Sequence, residues 1–270
     1  MMKKVFTMVL ALVFPVAAWS ADGDTFTYNT AEGVSLVYTV ISEANKTCIT
    51  GIQTSLPVQG TVTVPSEANG YKVIGVGYRT FRNFAIAKVI LPSTITYISE
   101  EAFEGCGKLA SINIPNGVTT IYRQAFKDCS SLSSIKIPGT VKQWESECFR
   151  ECTGLTSVTL EEGVETVGYG AFSGCTALSS ISIPGTVKLL NTRCFLNCTG
   201  LTSVTLEEGV ETIGDAAFSG CTALSSISFP STISTIYSSS FNSTAWLTNL
   251  PTGLTYVGNI AFKYKSPASG

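Results

Sequence analysis

Phenylalanine recurs in this chain every 23 residues, and cysteine keeps the same spacing three positions later. A unit of 23 residues is too short to bury its own apolar side chains, so each unit must pack on its neighbours. The sequence therefore predicts a solenoid in which equivalent residues form columns. The two series are Phe103, Phe126, Phe149, Phe172, Phe195, Phe218 and Phe241, and Cys106, Cys129, Cys152, Cys175, Cys198 and Cys221.

Each unit begins with a two-residue alternation. The apolar residues Ile112 and Ile114 alternate with the polar residues Ser111 and Asn113. This period is typical of a short strand with one buried face. A Pro-x-Gly turn and a second extended piece, containing Val118, are predicted to follow it.

The unit then changes to a helical spacing. Ala125, Phe126, Cys129 and Leu132 lie three to four positions apart, which predicts one short helical turn in each repeat. The predicted fold class is therefore α/β, with a strand and a short helical turn in each unit.

The segment 109–129 resembles a known repeat. Its pattern is Leu-x-x-Ile-x-Ile-Pro-x-x-Val-x-x-Ile-x-x-x-Ala-Phe-x-x-Cys, and it resembles the BspA-type leucine-rich repeat of bacterial and some protist surface proteins. The resemblance implies a right-handed leucine-rich-repeat solenoid. It also implies a role in surface attachment and protein binding rather than catalysis.

The chain divides into four predicted regions. Lys3 and Lys4 precede an apolar run that is too short to span a bilayer, which indicates a secretory signal peptide over residues 1–20. Non-repeating residues 21–70 predict an N-terminal β-rich cap, and 71–262 predict a solenoid of about eight repeats. Residues 263–270 are expected to form a C-terminal tail, and that end of the solenoid is expected to be poorly closed.

Composition excludes several classes of function. The formal net charge is −2, so no large basic surface is available for nucleic acid. The histidine count is 0, which removes Ser-His-Asp and Cys-His catalysis and His-ligated zinc. We therefore expect no enzymatic activity, no catalytic residues and no cofactor.

The cysteine column has three interpretations: disulfides, a metal ladder or buried thiols. Stacked cysteines have parallel side chains, whereas a disulfide needs Cβ atoms turned toward each other. Cys148 and Cys152 resemble half a zinc site, as do Cys194 and Cys198, but two repeats separate these pairs. Buried free thiols are the prediction, and no metal site is expected.

A charged column follows the turn. Lysine and glutamate alternate in it, so we expect a ladder of ion pairs between repeats that opposes a slip of register; the alternative is a ligand-binding stripe. Its members are Thr119, Lys142, Glu165, Lys188, Glu211 and Ser234.

The outward positions of the first strand are the candidate binding face. They are small, polar and nearly uncharged, so a partner could cover them at little electrostatic cost; the alternative is an ordinary solvated sheet face. The candidate residues are Ser111, Asn113, Ser134, Lys136, Ser157, Thr159, Ser180, Ser182, Ser203, Thr205, Ser226 and Ser228.

A longer period is superposed on the repeat. Residues 153–183 and 199–229 differ only at Val167/Ile213, Tyr169/Asp215, Gly170/Ala216 and Ile183/Phe229, so a 46-residue pair of repeats has been duplicated. Near-identical copies favour binding by an extended surface over binding in a tailored pocket.

The sequence therefore predicts a secreted, cell-surface protein that binds a protein or another cell-surface macromolecule. After signal cleavage no membrane insertion is expected, because no later segment approaches 18 uninterrupted apolar residues. The alternative is a structural protein that self-associates through its C-terminal end.

Overall fold

The structure is a computed structural model, and it describes residues 23–30, 32–42, 44–45, 47–51, 59–251, 253–257 and 260–265. The predicted signal peptide, 1–20, lies outside these residues. Eight coils with stacked phenylalanines form the body of the molecule, which confirms the predicted solenoid of about eight repeats.

Strands dominate the described residues, with one four-residue helix near the C-terminal end. The first strands are β1 (Thr25–Asn29), β2 (Ser35–Ser42), β3 (Thr47–Gly51), β4 (Gln59–Thr63), β5 (Glu67–Ala68), β6 (Tyr71–Val76), β7 (Ala85–Ile90) and β8 (Tyr97–Ile98). The repeats contain β9 (Ser111–Ile112), β10 (Thr120–Ile121), β11 (Ser134–Ile137), β12 (Gln143–Trp144), β13 (Ser157–Leu160), β14 (Thr166–Val167), β15 (Ser180–Ile183), β16 (Leu189–Leu190), β17 (Ser203–Leu206), β18 (Thr212–Ile213), β19 (Ser226–Ser228) and β20 (Thr235–Ile236). Helix α1 (Ala245–Thr248) and strands β21 (Gly253–Val257) and β22 (Ile260–Lys265) follow.

Two parallel sheets run along the solenoid. The first strands of the repeats form one sheet in three sections, β4-β7-β9, β11-β13 and β15-β17-β19. The second strands form the other sheet, β6-β8-β10-β12 and then β14-β16-β18-β20. The N-terminal strands extend this sheet in the order β1-β2-β3-β6, with antiparallel pairing of β1 with β2 and of β2 with β3. Equivalent residues lie side by side, as Ser134 does with Ser157 and Ile135 with Val158, so the columns predicted from the sequence form.

The backbone hydrogen bond that follows the first strand differs between the repeats. The N–H of Glu161 donates to the carbonyl of Ile137 at 3.0 Å, and Glu207 donates to Ile183 in the same way. Pro184 occupies the equivalent position in the intervening repeat and has no N–H to donate. This hydrogen bond is therefore present within each pair of repeats, where β11 pairs with β13 and β15 with β17, and it is missing between β13 and β15, which do not pair. Proline alone does not divide the sheet, because β17 pairs with β19 although Pro230 follows β19.

The segment around each phenylalanine is not helical, so the predicted helical turn and the α/β class are wrong. Glu101 and Gly105 have φ angles of 55° and 70°, which a right-handed helix cannot contain. The N–H groups of Glu101, Phe103 and Gly105 donate to carbonyls of the next repeat at 3.0, 2.7 and 2.8 Å. The hydrogen bonds between repeats therefore use the N–H groups that a helix would bond within itself. The segment forms consecutive turns in a β-solenoid.

Phenylalanine forms one continuous stack through the core. Neighbouring ring centroids lie 4.9–5.5 Å apart and the rings are nearly parallel. Each column cysteine lies beside this stack and donates its thiol hydrogen to a phenylalanine carbonyl of the preceding coil, as Cys152 Sγ does to Phe126 at 3.1 Å. The column therefore satisfies its weak polar group inside the core.

The N-terminal residues belong to the same sheets and the same core. Strand β3 pairs in parallel with β6, and β4 pairs in parallel with β7. Leu36, Tyr38 and Val40 of β2 are buried in one hydrophobic cluster with the repeats. A separate β-rich cap over 21–70 is therefore not supported, because the solenoid's hydrogen bonding continues into these residues.

The C-terminal end of the phenylalanine stack is covered. The Phe241 ring is fully buried, and its centroid lies 4.9 Å from that of Trp246 in α1 and 5.8 Å from that of Phe262 in β22. The expectation of a poorly closed end is therefore not supported. Residues 263–265 of the expected tail lie in β22, and 266–270 lie outside the described residues.

Candidate functional site

The twelve candidate residues lie along the outer side of the first sheet. Eleven of them are exposed and Ser203 is half-buried. The alternate positions, such as Ile135 and Val158, are buried beneath them, so the pleat of the strands holds the polar side chains outward. We call this surface the strand face.

Three members of the strand face are engaged by other groups of the chain. The Asn113 amide accepts from the N–H of Leu91 and donates to its carbonyl, both at 2.8 Å. Lys136 Nζ lies 2.5 Å from Glu161 Oε1, and Ser182 Oγ donates to Glu207 Oε1 at 2.9 Å. These three side chains stabilise the contact between repeats and are less available to a partner.

The other nine members carry hydroxyl groups. Within the described part of the chain, these hydroxyls form no side-chain hydrogen bond. The strand face therefore presents a periodic array of donors and acceptors with one charged member, Lys136, which is paired with Glu161. The nine residues are Ser111, Ser134, Ser157, Thr159, Ser180, Ser203, Thr205, Ser226 and Ser228.

The charged column forms two separate ion pairs. Lys142 Nζ lies 2.6 Å from Glu165 Oε1, and Lys188 Nζ lies 3.4 Å from Glu211 Oε1. Across the described residues, Glu165 and Lys188 do not pair. Each ion pair joins the two repeats that also share a complete strand ladder, so the predicted ladder exists only within each pair of repeats.

A second charged network lies along the turns that carry the phenylalanines, and the sequence analysis missed it. Arg79 Nε lies 2.6 Å from Glu101 Oε2, and Arg82 Nε lies 2.7 Å from Glu104 Oε2. The hydrogen bond from Arg79 holds the pKa of the Glu101 carboxyl below its usual value. The signal was present in the sequence as acidic and basic residues one or two positions from Phe81, Phe103, Phe126 and Phe149.

The cysteines have the environment of unreactive thiols. All nine are free and buried, and burial raises the pKa of the Cys106 thiol to about 12. Among the described residues, no cluster of three or more Cys, Asp or Glu side chains could hold a metal ion. No helix in the described residues has the length and apolar character needed to cross a bilayer.

Solved structures share this fold. The T. pallidum leucine-rich repeat protein TpLRR is 25% identical with a TM-score of 0.51, over 78% of this chain and 82% of that one. A leucine-rich repeat protein from Eubacterium ventriosum is 26% identical with a TM-score of 0.58, over 74% and 62%. The pneumococcal vaccine antigen PcpA is 16% identical with a TM-score of 0.54, over 77% and 71%, which shows the fold alone.

Two stacked sheets, 23-residue coils and these structural neighbours define a leucine-rich-repeat solenoid protein. The family model described as BspA type leucine rich repeat region matches residues 74–202 and 143–268, with 6 copies. The chain belongs to the BspA-type leucine-rich-repeat family, as its repeat pattern indicated. No curated protein matches it.

Proposed function

We propose that this protein is a secreted or cell-surface binding protein that holds a protein partner on the strand face. The observation that carries the proposal is the array of nine outward hydroxyls without a bonding partner in the described chain. Leucine-rich-repeat proteins generally bind other proteins through such extended surfaces. The signal-like sequence of residues 1–20 supports export.

The chemistry of the strand face suits a polypeptide. Serine and threonine hydroxyls both donate and accept, so they can bond to a partner's backbone in either direction. Covering hydroxyls costs far less desolvation energy than covering charges. Affinity would come from many modest contacts across several repeats, without a single dominant pocket on this face.

Catalysis has little support in the same region. Lys136 and the glutamates beside the face, Glu161 and Glu207, are bound to one another or to Ser182. A hydrolytic site would need carboxylates that converge on a cavity and remain free to transfer protons. We therefore propose a non-enzymatic role.

The test compares two variants that add the same charge at different places. Thr159→Arg, Ser180→Arg and Thr205→Arg together put three cations on the strand face. Thr153→Arg, Thr176→Arg and Thr199→Arg put three cations at exposed positions after the cysteines, away from that face. Both variants should fold, since all six side chains are exposed and form no side-chain hydrogen bond within the described residues.

The measurement is retention of surface or host proteins by the immobilised chain, quantified for each captured protein. We expect the strand-face variant to lose a partner that the wild-type chain and the control variant both retain. Equal retention by the two variants would contradict the strand face as the binding surface. Light scattering of the wild-type chain alone distinguishes the alternative, self-association, because a monomer would exclude it.

A further inference from the structure

A second surface, along the turns, contains a gap in an otherwise continuous column of side chains. The residues two positions before the phenylalanines from Phe103 to Phe218 have φ angles of 51–62° and form this column. Two of its neighbouring members bond to each other, since Gln124 Nε2 donates to Glu147 Oε2 at 2.6 Å. The column consists of Glu101, Gln124, Glu147, Gly170, Arg193 and Ala216.

Glycine interrupts this column at position 170. The space beside the other turn glycines is filled by a neighbour: Asn83 lies over Gly105, Glu151 over Gly174 and Asn197 over Gly220. At Gly170 the nearest atom to the position of a Cβ is Glu147 Cγ at 3.3 Å, and no other contact within 4 Å is found in the described residues. The space next to Gly170 is therefore open.

A cavity of about 150 Å³ occupies this space. It is large enough for several water molecules or one side-chain-sized group. Residues of three successive repeats line it, so its shape depends on the stacking of the solenoid. Among them are Glu147, Arg150, Tyr169, Gly170, Ser173 and Arg193.

The two walls of the cavity differ in how their charges are satisfied. On one wall, Glu147 accepts from Gln124 and from Arg150 Nη1 at 2.6 and 2.9 Å. On the other, Arg193 Nη1 donates to the neutral Tyr169 hydroxyl at 3.0 Å. In the part of the chain that the structure describes, Arg193 forms no ion pair, so most of its donors are available to a ligand.

The duplicated repeat lacks this arrangement. Asp215 and Ala216 replace Tyr169 and Gly170, and they are two of the four differences between the copies. Ala216 occupies the position equivalent to Gly170. The Ser239 hydroxyl of the following repeat donates to Asp215 and accepts from the N–H of Ala216. Divergence of the copies is thus concentrated where the cavity forms, which runs against the expectation that duplication disfavours a pocket.

We propose that the Gly170 cavity binds a carboxylate group, with Arg193 and Tyr169 as its hydrogen-bond donors. A planar guanidinium pairs with a carboxylate through two parallel hydrogen bonds, and Arg and Tyr are frequent anchors of interfaces. Acidic side chains of a peptide and small organic acids carry the same group. This site lies on the turn surface and does not depend on binding by the strand face.

The test is an NMR titration of the exported chain, observing the Arg193 Nε–H and Gly170 N–H signals. The probes are N-acetyl-L-glutamate α-amide, its glutamine counterpart and acetate. We expect saturable shifts with the glutamate probe and none with the glutamine probe. Acetate binding as strongly as the glutamate probe would assign the site to small acids, and weaker acetate binding would assign it to acidic side chains.

Two variants and a control complete the test. Gly170→Gln fills the gap with the side chain found at the equivalent Gln124, and Arg193→Gln removes the cation. Each should weaken binding of the glutamate probe about tenfold or more, as expected from loss of a charge-assisted hydrogen bond. Arg123→Gln removes another exposed cation, which pairs with Glu100 and does not line the cavity, and it should leave binding unchanged.

Equal shifts with the glutamate and glutamine probes would overturn the proposal. Unchanged affinity in Gly170→Gln or in Arg193→Gln would also overturn it. Circular dichroism checks that each variant folds. Gly170→Gln changes the open space and Arg193→Gln changes the cation, so if one variant does not fold, the other still tests the proposal.

Discussion

Gly139 lies against the backbone of Glu162 in the next repeat, so closely that a Cβ atom at position 139 would overlap the Glu162 carbonyl oxygen. Gly185 meets Glu208 in the same way in the second copy. These contacts occur inside the pairs of repeats that share a full strand ladder. Glycine at these positions allows the turns of the two repeats to stack.

Gly139→Ala should therefore destabilise the protein by about 1–3 kcal/mol, because the backbone of one repeat must move away from the next. The control is Gly107→Ala, since the only atom near a Cβ at position 107 in the described residues is Ser130 Oγ at 3.5 Å. Denaturant midpoints of the two variants are the measurement. Similar midpoints would contradict the role assigned to the close approach.

Phe172→Ala tests the phenylalanine stack. The Phe172 ring lies 5.3 Å from Phe149 and 5.4 Å from Phe195 and is fully buried. Its removal should cost about 3–5 kcal/mol through loss of apolar contact and formation of a cavity. Hydrogen exchange should show weaker protection in the adjoining repeats, because each coil is stabilised by its neighbours. Loss confined to the mutated repeat would contradict this coupling.

Thiol accessibility tests the cysteine column. All nine cysteines are free and buried, so the native protein should react slowly with an alkylating reagent at pH 8, at which thiols with raised pKa values stay protonated. Denaturation without reductant should expose at least the six column thiols. Recovery of two or fewer would mean that disulfides form in this column.

The sequence was sufficient to predict the solenoid, its repeat number and the buried Phe and Cys columns, because strict periodicity leaves one arrangement that buries them all. It mispredicted the turn that follows Ala125. The three-to-four spacing there is real, but the N–H groups bond to the next repeat, and left-handed residues such as Gln124 and Asp128 accompany that bonding.

The surfaces were predictable to different degrees. Alternation along the strands was enough to place the hydroxyls of the strand face outward. The engagement of Asn113 by Leu91 depends on how two coils approach each other, which one repeat does not specify. The Gly170 cavity exists because no side chain fills the space between Glu147 and Arg193. An alignment of the repeats shows where a glycine lies, but it does not show whether the side chain of a neighbouring repeat covers that glycine.

Two deletions test whether the pair of repeats is the structural unit. Removing 153–198, which is 46 residues, places Lys142 beside Glu211 and Gly139 beside Gly209, so every contact type within the pair is restored. Removing 153–175, which is 23 residues, places Lys142 beside Lys188 and Pro184 beside Ile137. Each variant keeps one of the two ion pairs and one of the two glutamate backbone hydrogen bonds of the complete chain. The 23-residue deletion has one repeat more, and that repeat joins its neighbour without either contact.

We expect the 23-residue deletion to be the less stable variant per repeat, by roughly a few tenths of a kcal/mol, because its junction places the exposed Lys142 and Lys188 side by side. Denaturant midpoints measure this difference, and equal stability per repeat would contradict a two-repeat unit. The 46-residue deletion also separates the two binding surfaces. It removes Gly170 and Arg193 together, so carboxylate binding should disappear, whereas the shortened strand face should still hold its partner with reduced affinity. Complete loss of that partner in a folded variant would instead place a discrete site for it within residues 153–198.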